Sequence, residues 1–302
     1  MKKSFYSNGK LLLTGEYVVL DGATALALPT KKGQSLTLLP RDEGKLLWNS
    51  YDEKNKCWFN AEFSLDTFKI VACDTLKTAQ IVSEILKEAR RIQPEFLLNS
   101  PGVQAITELD FPRNWGLGTS STLINNIAQW ANVDAFTLLK NSFGGSGYDI
   151  AAAQHNTPVF YTLEKNTPKV QEVGLSWDFT GSLFFVHLNQ KQDSKKGISR
   201  YKKNPATLGQ LEKISDFTKK LLLCYTLSDF ESILNAHEVV ISELIGLPTV
   251  KERLFPEYNG SVKSLGAWGG DFVLATGTAT EIDYFRKKGY TTIIPFSNMV
   301  KK

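Results

Sequence analysis

Val103, Ala105, Thr107, Leu109 and Phe111 alternate with Gln104, Glu108 and Asp110, the period of a half-buried strand. Further on, Leu123, Ile124, Ile127, Ala128 and Ala131 recur at helical spacing. The same reading along the chain predicts strands at Leu11–Leu13, Tyr17–Leu20, Ser35–Leu39, Lys45–Tyr51 and Cys57–Phe63. Pro40, Gly44 and an Asp52–Lys54 turn punctuate them. Asp74–Arg91 reads as an amphipathic helix, with Val82, Ile85, Leu86 and Ala89 on one face and Glu84, Lys87, Glu88 and Arg90 on the other. Strands follow at Pro158–Glu164 and Gly181–Asn189, then helices at Pro205–Thr226 and Ser228–Leu247. A strand Asp271–Ala275, a helix Thr278–Lys288 and a strand Thr291–Phe296 close the chain in a βαβ-like unit. Strands feeding helices in this order predict an α+β fold.

Between the strand at Val103 and the helix at Leu123 lies NWGLGTSST, Asn114–Thr122. Gly116 and Gly118 let backbone approach a ligand closely. Thr119, Ser120 and Ser121 fall where a new helix has unpaired N–H groups. Strand, glycine loop and helix start together make an anion site, and the anion to expect is phosphate. An ordinary capped helix after a tight turn explains the stretch equally well. A Walker A loop is excluded, because no Gly-Lys-Ser/Thr follows the glycines.

Composition narrows the class. The chain has 302 residues, 42% hydrophobic and 22% charged, as for globular proteins of one large or two ordinary domains. A net charge of +4 does not argue for nucleic acid and suits a small anionic substrate. Cys57, Cys73 and Cys224 are scattered and odd in number, so neither a zinc site nor a disulfide framework can be built from them. A reducing cytoplasm is the expected location. The basic start MKKSFYSNGK runs into LLLTGEYVVLDG, which carries Glu16 and Asp21 and so does not read as a signal peptide. No apolar run approaches the roughly 20 residues of a membrane span. His155, His187 and His237 join no metal-ligand grouping and read as structural or surface histidines.

Four stretches in fixed order resemble the GHMP kinases, the superfamily of galactokinase, homoserine kinase, mevalonate kinase and phosphomevalonate kinase. KLLLTGEYVVLDGATALALP, from Lys10, is similar to that family's first motif. GLGTSST resembles its second, Pro-x-x-x-Gly-Leu-Gly-Ser-Ser-Ala, the phosphate-binding loop. FGGSGYDIAAAQHN, Phe143–Asn156, resembles the Gly-x-x-Ser-Gly-x-Asp-x-Ala stretch of the mevalonate kinase branch. VKSLGAWGGDFVLATG, Val262–Gly277, resembles the third motif, Lys-x-x-Gly-Ala-Gly-x-Gly-Gly. Lys263, Gly266, Ala267, Gly269 and Gly270 match it, and Trp268 replaces a glycine.

The resemblance implies a two-domain α+β GHMP kinase fold. Residues 1–170 would form a nucleotide-binding domain like ribosomal protein S5 domain 2, and residues 171–302 a ferredoxin-like domain. It implies ATP as donor along Asn114, Gly116, Leu117, Gly118, Thr119, Ser120, Ser121 and Thr122. It also implies Asp149 as catalytic base and Lys10 as its electrostatic partner. Read from the residues alone, Asp149 is more simply a helix cap, since it stands where Ile150–Ala153 begins. The acceptor would lie among Glu16, Tyr17, Gly147, Tyr148, Gly266, Ala267 and Gly269. The basic run Lys191–Lys203 faintly resembles a phosphomevalonate kinase segment, placing Lys191 as a substrate clamp and Ser194 near that segment's serine. The residue matching the mevalonate kinases' magnesium-binding glutamate lies near Leu138, and Asp134 is the nearest acid. Mg²⁺ would then be held by Ser120 and ATP. Tyr17 stands where mevalonate kinases have histidine. These departures favour phosphomevalonate over mevalonate as the acceptor, in isoprenoid biosynthesis. The alternatives are a catalytically silent GHMP scaffold that binds a ligand, and a kinase for homoserine or a sugar. The expected partner is a small molecule and the expected assembly a monomer or homodimer.

Overall fold

The computed structural model describes residues 2–190 and 194–302. It divides into two compact units interleaved in sequence. The first comprises the chain up to Gly9, Lys32–Arg113 and Leu117–Gln154; the second comprises Lys10–Lys31, Asn114–Gly116 and His155–Lys302. Strands β1 (Lys3–Thr14) and β2 (Ala25–Pro40) run through both.

In the first unit, β3 (Lys45–Tyr51), β4 (Cys57–Ser64) and β5 (Ile70–Cys73) form an antiparallel meander. Helix α1 (Leu76–Ile92) follows, with Ala79, Val82, Ile85, Leu86 and Ala89 buried along one face. The chain then returns as β6 (Val103–Leu109), parallel to β3 and antiparallel to the second half of β2, from Gln34↔Leu109 to Pro40↔Val103. A parallel pair needs a long crossover, and β4, β5 and α1 supply it. Helices α2 (Thr119–Ala131), α3 (Ala135–Ser142) and α4 (Tyr148–Gln154) complete the unit. α1, α2 and α3 pack on one another, and α4 packs on α2. Trp48, Phe59, Phe63, Ile85, Ile124 and Ile150 lie in the core they share.

In the second unit, β7 (Val159–Glu164) pairs with the first half of β2 and turns back as β8 (Thr167–Glu172). Lys165 and Asn166 both have positive φ, as a two-residue hairpin turn requires. The remaining elements are β9 (Leu183–His187), α5 (Ser194–Tyr201), α6 (Leu208–Leu222), α7 (Leu227–Ile245), α8 (Val250–Leu254), β10 (Val262–Ser264), β11 (Phe272–Thr276), α9 (Ala279–Lys287), β12 (Ile293–Pro295) and α10 (Phe296–Met299). Their antiparallel sheet has the order β10-β11-β9-β12. With α6 and α7 between β9 and β10, and α9 between β11 and β12, this is a ferredoxin-like split βαβ arrangement. The closing βαβ expected from the sequence is therefore split by β9 between its two strands.

One expected strand is absent. Val18–Asp21 forms a single 3-10 turn, with Tyr17 at φ 63°. Val19 N–H bonds Gly15 O at 3.0 Å and Leu20 N–H bonds Tyr17 O at 3.0 Å. A short apolar run signals burial, not conformation, and Gly15 at φ 88° breaks the strand just before it. Among the described residues, no helix is long and apolar enough to cross a membrane.

Candidate active site

The first unit carries the phosphate-loop candidate. Gly118 adopts φ 89° at the start of α2, and no side chain caps that helix. The first intrahelical bond runs from Thr122 N–H to Gly118 O at 3.0 Å, which leaves the N–H groups of Thr119, Ser120 and Ser121 outside the helical ladder. The hydroxyls divide sharply. Ser121 donates to Gly118 O at 2.8 Å, and Thr122 donates to Gln34 Oε1 at 2.7 Å. Both are buried, while Ser120 is exposed and Thr119 half-buried. Ser121 therefore offers a ligand only its backbone N–H, Thr122 has both groups engaged, and Ser120 and Thr119 offer their hydroxyls as well as their N–H groups.

Asp149 lies in the first turn of α4, whose opening N–H groups, from Ile150 and Ala151, bond Gly147 O. Tyr148 and Asp149 are half-buried, and Ile150–Ala153 are buried. Gln154 of α4 donates to Asn125 of α2 at 3.0 Å. The helix bearing Asp149 is thus bound directly to the helix that the glycine loop starts. Asp134 is not at leisure for a metal, since it caps α3 by accepting from Thr137 N–H at 2.7 Å and from its hydroxyl at 2.6 Å. Leu138 is buried. Among the described residues, no cluster of three His, Cys, Asp or Glu could hold a metal. A cation at this loop would therefore have to be held chiefly by phosphates, with the exposed Ser120 hydroxyl available beside it.

The second unit carries the rest. Lys10 is half-buried on β1. Asn114–Gly116, the first part of the glycine stretch, belongs here. A Cβ on Gly116 would lie 2.2 Å from the Asp271 carboxylate, so this glycine is there for close approach as well as for its φ of 67°. Asn114 O lies 3.3 Å from His187 Nε2, and Trp115 meets Phe272 edge to face. His187 is thus a support of the loop entry.

Gly15–Tyr17 and the third-motif loop meet around a fully buried ion cluster. Lys263 Nζ binds the Glu16 carboxylate, and it sits 2.9 Å from Glu238 Oε1 on α7. It also donates to Ser264 O at 2.6 Å. His237 Nε2 accepts from Gly15 N–H at 3.1 Å and lies 3.6 Å from Glu16 Oε2. Glu16 is 1% exposed, Glu238 3%, and Lys263 and His237 0%. Burial pushes the Glu16 carboxyl up to about 7 against the pull of Lys263. It raises Glu238 also. Burial and Lys263 together hold His237 well below its ordinary value, hence neutral. Burial alone would lower Lys263, but the two carboxylates outweigh it and raise its pKa.

Tyr17 Oη accepts from Trp268 N–H at 3.0 Å, and Trp268 Nε1 donates to Pro248 O at 3.0 Å. Trp268, which departs from the family motif, is therefore a buried strut of the loop. Helix α5 passes so close to Tyr17 that a Cβ on Gly197 would lie 2.6 Å from its hydroxyl. Gly266 and Gly269 both have positive φ, and a Cβ on Gly269 would meet Arg253 at 2.1 Å. Ala267 is buried. Lys191 lies outside the described residues. Sequence reasoning missed Glu238, Asp271 and the part His237 plays. On α7 an acid amid Leu234, Val240 and Ile241 looks like the polar edge of an apolar face, and only its burial reveals it.

Neither a protein-family model nor any curated protein matches the chain by sequence. Solved structures do match. The glycine-loop unit and the split βαβ unit make up the fold of the GHMP kinases. Mevalonate kinase from Methanococcus jannaschii shares it at 14% identity and TM-score 0.70, over 97% of each chain. Phosphomevalonate kinase from Streptococcus pneumoniae, in complex with phosphomevalonate and AMPPNP, does so at 15% identity and TM-score 0.71, over 95% of each chain. Galactokinase from Lactococcus lactis, complexed with galactose, does so at 14% identity and TM-score 0.69, over 100% of this chain and 95% of its own.

Proposed function

We propose that this protein is an ATP-dependent small-molecule kinase acting on a mevalonate-series acceptor, with phosphomevalonate preferred to mevalonate. The observation that carries the reading is the uncapped start of α2 behind Gly116 and Gly118, with the Asp149 helix bonded to α2. An open helix N-terminus favours the phosphates of a nucleotide. The acceptor oxygen attacks the γ-phosphorus as the bond to the β-bridging oxygen breaks, and ADP leaves. Asp149 takes the proton of a hydroxyl acceptor, or orients an acceptor phosphate that has already lost it. Lys10 offsets negative charge building on the transferred phosphoryl group. Ser120 and the phosphates would hold Mg²⁺, which would supply further charge neutralisation. On the second unit, Glu16 and Tyr17 shape the acceptor side from within, with Gly266, Ala267 and Gly269 as its backbone walls.

The test is coupled ADP release with MgATP, offering mevalonate, phosphomevalonate, homoserine and galactose separately. Phosphomevalonate is expected to drive the fastest turnover. Asp149→Asn is expected to lower kcat by about 10²–10⁴ while leaving ATP binding intact. Full activity in that variant would remove Asp149 from the mechanism. ATP binding with no acceptor turned over would point instead to a ligand-binding scaffold.

A further inference from the structure

Tyr17 is a bulky residue held at φ 63°, a conformation such side chains avoid, and it directly follows Gly15 at φ 88° and the buried Glu16. Strain of this kind persists only where the surroundings over-determine it. Here three restraints converge. His237 accepts from Gly15 N–H, Lys263 grips the Glu16 carboxylate, and Trp268 N–H bonds the Tyr17 hydroxyl. Two of the three lead to the third-motif segment, since Lys263 also holds Ser264 O and Trp268 belongs to its loop. Glu238 fixes Lys263 from the opposite side, and it is the neighbour of His237 on α7.

We infer that His237 and Glu238 are positioning residues of the acceptor side, locking the strained turn Gly15–Tyr17 to the loop Ser264–Gly269 through Lys263. The acceptor assignment rests on the function proposed above; the lock itself does not. The lock is also sensitive to protons. Two carboxylates face one ammonium, so full ionisation leaves a buried charge unbalanced. His237 Nε2, its lone pair taken by Gly15 N–H, lies 3.6 Å from Glu16 Oε2 and donates nothing to that carboxylate. The groups surrounding Glu16 are Lys263 from β10 and Glu238 and His237 from α7. A surface cavity of about 300 Å³ beside Asn235, Thr249 and Lys251 is lined in part by Glu238.

The experiment compares the full-length protein with His237→Leu, His237→Gln and Glu238→Gln. It uses hydrogen–deuterium exchange and steady-state kinetics. His237→Leu should speed exchange about tenfold at Gly15–Val19 and at Ser264–Gly270 together, with the rest of the unit unchanged. His237→Gln, which restores an acceptor for Gly15 N–H, should return both segments toward the wild-type rate. Glu238→Gln keeps the Glu16–Lys263 pair and so folds, but it should reduce the pH dependence of the protection factors in both segments between about pH 5 and 8. In turnover, His237→Leu should raise the acceptor KM and leave the ATP KM unchanged. Wild-type exchange rates in His237→Leu would overturn the inference, as would acceleration spread over the whole unit. Coupled loosening with no turnover of any acceptor by the wild type would overturn the acceptor assignment and leave the lock standing.

Discussion

At the scale of single residues, several glycines stand where no side chain would fit. Gly116 is the clearest case, because a methyl group there meets the Asp271 carboxylate at 2.2 Å and φ is 67°. Gly116→Ala should therefore move the loop entry and weaken ATP binding at least tenfold, as ångström-scale misplacement commonly does. Titration against a fluorescent ATP analogue measures it; unchanged affinity would dissociate Gly116 from the nucleotide site. The hydroxyl run shows how far sequence reaches at this scale. Four hydroxyl residues in a row predict a helix start, and a helix does start at Thr119. Which hydroxyls turn inward is decided by partners such as Gln34, which is 88 residues away in sequence.

At the scale of elements, packing sets what each helix is for. Helix α5 docks its Gly197 against Tyr17, so a larger side chain must push the helix off the turn. Gly197→Leu should raise the KM for the acceptor several-fold and leave ATP affinity unaltered, a split that initial-rate measurements resolve. Helix α9 is held by a capping box in which Thr278 and Glu281 bond each other's backbone N–H. Thr278→Ala should cost about 1 kcal/mol and lower the melting temperature by about 2–4 °C. The periodicities placed α1, α2, α6, α7 and α9 and most strands close to their observed limits. They missed the 3-10 turn after Glu16, because an apolar run such as Val18–Val19–Leu20 fits any buried conformation.

At the scale of the whole molecule, the buried ions tie stability to pH. Glu16 is raised from 4.5 to about 7 by burial, so its contribution is complete below about pH 4.5 and lost as pH climbs through about 7. Glu238 is shifted in the same direction. His237 is lowered, so its contribution is present above its ordinary value of 6.5 and lost as pH falls toward its folded value. Glu238→Gln removes one raised carboxyl and the repulsion that helps raise the other. Its melting temperature should gain on the wild type as pH rises from about 5 to 8, measured by scanning calorimetry; parallel curves would show that the cluster does not titrate in this range.

The sequence by itself determined the α+β order of elements, the glycine loop at a helix start, and the aspartate at the start of α4. Each is written in a local signal: a period, a glycine, or a polar residue heading an apolar run. Only the tertiary structure decided the rest. It set Glu16 against Lys263, 247 residues away, and enclosed Glu238 and His237 with them. It inserted β9 between β11 and β12, and it made Trp268 a strut instead of an intruder. Burial makes these residues what they are, and burial is a property of the packed chain: the same carboxylate is a solvated charge in one fold and a proton-holding clamp in another.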